Sequence, residues 1–124
     1  LNEEKNVRKI YIAIKKKFKE KSYEIIFVDD DSIDGTQKEI LKLTKKKNNV
    51  KYIFRKKDKD LSRSFIAGVN ISKSKYIILM DCDLQHDPQI LNNYERFKNP
   101  KNSRILSLIV CSFLFCIVFV IIFY

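Results

Sequence analysis

The stretch "EIIFVDDDSIDGT", residues 24–36, decides the fold. Within residues 24–28, Ile25 to Val28 form a short apolar run, and the Asp-, Ser- and Gly-rich segment behind them has the composition of a turn. Bounded in this way, the run reads as a buried strand. The pattern returns at "YIILMDCDLQHDP", residues 76–88, where Tyr76 to Met80 stop at Asp81-Cys82-Asp83. Two strands therefore end in acid. Between them, residues 36–47 read as a helix and residues 50–54, "VKYIF", as another strand. The charged loop "RKKDKD" then leads to a helix over 61–73. Upstream, Val7, Ile10, Tyr11, Ile14 and Phe18 recur at helical spacing over residues 3–20, with lysines on the other face. Downstream, a helix is expected from Pro88 to Phe97, since proline suits a first helical turn. Strands alternating with helices predict an α/β fold with a mainly parallel sheet. Ligands bind such sheets beyond the carboxyl ends of the strands. Both acid clusters should therefore share one edge.

The chain has 124 residues, enough for one small domain with a core, and begins at Leu1, as a fragment would. Its formal net charge is +10. Lys, Asn and Ile are all abundant, a bias that genome composition can impose. No aromatic-interleaved basic stripe accompanies the charge, so a solvated lysine surface is favoured over nucleic-acid binding. A basic face would also suit an anionic membrane or a phosphorylated substrate. The three cysteines, Cys82, Cys111 and Cys116, have neither zinc-site spacing nor the even count of a disulfide framework, which favours a reducing compartment.

The tail "ILSLIVCSFLFCIVFVIIFY", residues 105–124, holds twenty residues without a charge. As a helix it would span roughly 30 Å, the thickness of a bilayer core. One transmembrane helix is expected there, preceded by a basic juxtamembrane linker over 98–104 and a domain over 1–97. Lys98, Lys101 and Arg104 before the run place that domain on the cytoplasmic side by the positive-inside rule. The N-terminus carries no signal-peptide pattern.

Asp81 and Asp83, one residue apart at a strand end, suit a hard divalent cation that keeps waters and substrate phosphates in its shell. Asp87, directly before Pro88, reads instead as a helix N-cap. Two families imitate part of the pattern. A phospho-receiver domain has paired acids after its first strand and an aspartate after its third, but it needs a later lysine strand. A haloacid-dehalogenase-type phosphatase needs a threonine where Gln85 stands.

The chain resembles a family 2 glycosyltransferase of the GT-A fold, nearest to the dolichol-phosphate or polyprenyl-phosphate mannose synthases. The resemblance covers residues 1–97. It rests on "LNEEKNV" (1–7), "EIIFVDDDSIDGT" (24–36), "LSRSFIAGVNISKSKYIILMD" (61–81) and "DCDLQHDP" (81–88), in that order. It implies a partial GT-A, Rossmann-like, nucleotide-sugar-binding sheet with flanking helices. It also implies that the chain is truncated at both ends: a central strand would precede Leu1 and acceptor-side elements would follow Phe97, leaving the middle of the sheet open.

By the same resemblance, Glu3, Asp29, Asp30 and Asp81 contact the nucleotide. One of Asp29 and Asp30 could instead form the turn through an Asx hydrogen bond. Asp81 and Asp83 are the catalytic pair and, with Gln85, hold Mg²⁺ or Mn²⁺, while His86 takes a supporting role. Asp34-Gly35 shapes the turn, with glycine supplying a permissive backbone. The implied donor is a GDP- or UDP-sugar and the implied acceptor a polyprenyl or dolichyl phosphate in a membrane. A lipid phosphate is already anionic and needs no strong general base to attack. The alternative from another class is a membrane-tethered remnant that keeps the fold without turnover.

Overall fold

The computed structural model describes residues 3–19, 22–73, 76–82 and 118–123. Its elements are α1 (Glu4–Lys17), β1 (Tyr23–Asp29), α2 (Thr36–Lys46), β2 (Val50–Phe54), α3 (Leu61–Ile71), β3 (Tyr76–Asp81) and β4 (Val118–Phe123). The first six match the expected elements to within a few residues. The helix expected from Pro88 lies outside the described residues.

β1 buries side chains on both faces, which is why Ile25 to Val28 are all apolar rather than alternating. Ile25 and Phe27 pack with Val7, Ile10, Tyr11 and Ile14 of α1, with Phe18 just after it and with Ile40 of α2. Ile26 and Val28 point the other way and join Leu79, with Leu61 and Phe65 of α3 packed against them. The result is three layers, with α1 and α2 on one face of the sheet and α3 on the other. All five residues picked out by helical spacing are buried. Each such side chain contributes about 1.5–3 kcal/mol when fully removed from water.

The sheet order is β2-β1-β4-β3. β1 and β2 are parallel, with Ile25 opposite Val50 and Asp29 opposite Phe54. β4 is antiparallel to both β1 and β3, so β1, β2 and β3 all run in one direction. The expected open position in the middle of the sheet is therefore filled, by a strand of reversed direction.

That strand corrects the expectation for the tail. Residues 118–123 are not helical but extended, and Val120 sits between Ile26 and Leu79. The physical reason is that "VFVIIF" consists only of β-branched and aromatic residues, the preferred occupants of a strand. A place between two strands also satisfies its backbone groups on both sides. Residues 105–117 lie outside the described residues. Among those described, no helix is long and apolar enough to cross a membrane.

Candidate functional site at the carboxyl edge of the sheet

The strand register brings the two acid clusters to one edge. Val28 and Asp81 both lie opposite Val118, so the ends of β1 and β3 are level across β4. Two strand spacings separate them, about 10 Å. Asp29 follows Val28 directly. Asp83, Gln85, His86 and Asp87 lie outside the described residues, so the proposed ligand set and the Asp87 cap do too. Among the described residues, no group of three or more His, Cys, Asp or Glu side chains is arranged to hold a metal ion.

Asp29 and Asp30 have separate surroundings. Asp29 is fully buried. Its Oδ2 accepts from the Ser32 N–H at 3.1 Å and from Gln37 Nε2 at 2.6 Å, and its Oδ1 accepts from the Ser32 hydroxyl. These bonds reach three residues on and fix the turn after β1, while the two-residue Asx bond in this segment is made by Asp34 to the Thr36 N–H. Asp30 is also buried. Its Oδ2 accepts from Ser64 Oγ at 2.6 Å and from Arg55 Nη1 at 3.3 Å. Its Oδ1 lies 3.1 Å from Arg55 Nη1 in an ion pair, yet is the one buried side-chain oxygen among the described residues without a hydrogen bond.

Arg55 was not singled out by the sequence. It follows β2, and its backbone N–H donates to the Asp29 carbonyl at 2.8 Å, extending the parallel pairing by one bond. Its guanidinium also donates to the carbonyls of Asp58 and Asp60 and to Ser64 Oγ. Asp60 caps α3, accepting from the N–H groups of Ser62 and Arg63. An aspartate directly before the helical "LSRS" was a legible N-cap signal for this one. Arg55 gave no comparable signal, because a lysine-rich loop hides one committed cation among several solvated ones.

Glu3 lies at the start of α1. Its N–H donates to Thr36 Oγ1 at 2.8 Å, and its carboxylate accepts from Asn6 Nδ2 at 2.6 Å. A recess of about 280 Å³ opens there, lined by Glu3, Glu4, Lys5, Asn6, Lys9 and Asp34, but by neither Asp29 nor Asp30. Asp34 joins the two parts, accepting from the N–H groups of Glu4 at 3.2 Å and Thr36 at 2.9 Å. Burial raises its carboxyl pKa, but the bonds from Thr36 and Glu4 outweigh that and hold it below the usual aspartate range. Gly35 is not in a left-handed conformation; its φ is −75°. A Cβ there would meet only the end of the exposed Glu4 side chain, which can swing aside. The left-handed residues are Asp31, at φ 66°, and Asp58, at φ 53°. Aspartate tolerates that region better than most residues.

Comparison with known proteins gives the family. The description "Glycosyl transferase family 2" matches residues 1–112, a span that includes both acid clusters and ends before β4. Dolichol-phosphate mannosyltransferase of Pyrococcus furiosus is 37% identical over 90 residues, 73% of this chain and 25% of that protein. The enzyme of the same name from Saccharomyces cerevisiae is 41% identical over 69 residues, 56% of this chain and 26% of its own. That of Mycosarcoma maydis is 34% identical over 83 residues, 67% of this chain and 28% of its own. The chain thus spans little more than a quarter of the length of these relatives. No solved structure is a match. With most of its length inside the family's span and two acid-ended strands level at one sheet edge, the chain belongs to glycosyl transferase family 2.

Proposed function

We propose that this chain carries the donor side of a glycosyltransferase that moves a sugar from a GDP- or UDP-sugar to a polyprenyl or dolichyl phosphate. The observation that carries the reading is the level alignment of the β1 and β3 ends across β4. One edge then offers a nucleotide-facing acid cluster and, about 10 Å away, a second acid cluster for the diphosphate. The names of the relatives support the lipid phosphate acceptor.

In this reading Asp81 and Asp83, with Gln85, would hold Mg²⁺ or Mn²⁺, a set of oxygen donors that suits a hard cation. The cation would stabilise the charge that builds on the leaving nucleoside diphosphate as the anomeric carbon–oxygen bond breaks. Asp29 fixes the turn that follows β1. Asp30 and Glu3 are the remaining acids for the base and ribose. The attacking oxygen belongs to a phosphate that is already ionised, so no general base is needed to expose it.

Titration calorimetry of the 124-residue chain with GDP and UDP, with and without Mg²⁺ or Mn²⁺, tests this. Binding that needs the metal is expected. Equal binding in EDTA would sink the metal bridge, and no binding of either nucleotide would sink the donor site.

A further inference from the structure

We propose that Arg55 is a positioning residue for the donor nucleotide, locking Asp30 and the loop over residues 55–60 into one rigid wall at the carboxyl edge of the sheet. This rests on the glycosyltransferase reading above. Two loops meet at that edge, the acid turn after β1 and the loop after β2. Each contains one left-handed aspartate, Asp31 or Asp58, a conformation that persists only where the surroundings fix it. Two ion pairs brace the loops against each other. Lys59 to Asp31, at 3.0 Å, is exposed on both sides and contributes little. Arg55 to Asp30, at 3.1 Å, is 12% and 8% exposed.

The guanidinium reaches four groups: the Asp30 carboxylate, Ser64 Oγ and the carbonyls of Asp58 and Asp60. These bonds all go to protein groups, and Arg55 acts through what they hold in place. The fork geometry is what makes this possible, because the partners come from the β1 end, the loop and α3. A lysine keeps the charge but presents a single point that cannot serve all of them.

The test compares the wild-type chain with Arg55→Lys, Lys59→Ala, Asp30→Asn and the Asp30→Asn/Arg55→Lys double variant. The dissociation constants of GDP and UDP in Mg²⁺ are measured by calorimetry well below each melting temperature. A purely structural role would lower Tm and leave the affinity of the folded protein unchanged. Arg55→Lys is expected to weaken nucleotide binding about tenfold, a typical coupling between a site and a residue that acts on it indirectly. Lys59→Ala should stay within about twofold, as for an exposed pair. The double variant should bind no more weakly than the worse single variant, since the two act as one unit. Wild-type binding with Arg55→Lys within about twofold of it, or fully additive losses in the double variant, would overturn the proposal. A wild-type chain that binds neither nucleotide would defeat the donor-site reading itself.

Discussion

Asp29 and Asp30 are neighbours in sequence with unlike tasks, and the difference comes from strand geometry. Successive residues at a strand end point to opposite faces. One carboxylate therefore turns back onto Ser32 and Gln37, and the other reaches Arg55 and Ser64. The sequence shows three aspartates in a row and nothing that separates them. Asp34 shows a third task, tying the start of α1 to the start of α2 through the N–H groups of Glu4 and Thr36. Its folded pKa is depressed. The stability it contributes is therefore present above its ordinary pKa, about 4, and is lost as the pH falls through the lower folded value. Asp34→Asn should remove that dependence. Denaturant unfolding between about pH 5 and pH 2 should show a shallower acid loss for the variant than for the wild type. Identical slopes would mean that the tie between the helices is not made by an ionised Asp34.

Elements were the most legible level where periodicity and punctuation agreed. The spacing of Val7, Ile10, Tyr11, Ile14 and Phe18 can be read only as one helical face, and all five are buried. The continuous run in β1 reads as a strand covered on both sides, and both layers are present. For residues 118–123 the helical expectation fails because hydropathy alone does not distinguish a bilayer span from a strand in the middle of a sheet. Both lack charges. The distinguishing signal lay in the last six described residues, all β-branched or aromatic, against the Leu, Ser and Cys of the residues before them. If β4 holds β1 and β3 together, breaking its backbone pairing should be costly. Val120→Pro removes an N–H from a strand paired on both sides, and proline is found in sheets essentially only at edges. It should destabilise the fold by at least about 1–3 kcal/mol, the cost of buried backbone groups left unpaired. The same substitution at exposed Tyr52, on edge strand β2, should cost less. Denaturant unfolding of both variants checks this, and equal costs would place Val118–Phe123 outside the sheet.

At the scale of the whole molecule, the three layers serve one edge. α1 and α2 start there, joined by Asp34 and Thr36, and β1, β2 and β3 all end there. In the reading proposed above, that arrangement would hold the donor nucleotide. Transfer requires more, because much of a transferase's rate comes from holding donor and acceptor in one geometry. The chain spans little more than a quarter of the relatives named dolichol-phosphate mannosyltransferase. Among the described residues, the cations near the acid edge are already engaged or lie on exposed loops: Arg55 is buried in its own contacts, and Lys59 faces Asp31. The 124 residues alone are therefore expected to bind nucleotide weakly and to transfer little or no sugar. The measurement is radiolabelled sugar passing from GDP- or UDP-sugar into an organic-extractable polyprenyl phosphate, run beside the full-length yeast relative as the positive control. Transfer by this chain at a rate near that of the control would show that these 124 residues are enough for the reaction.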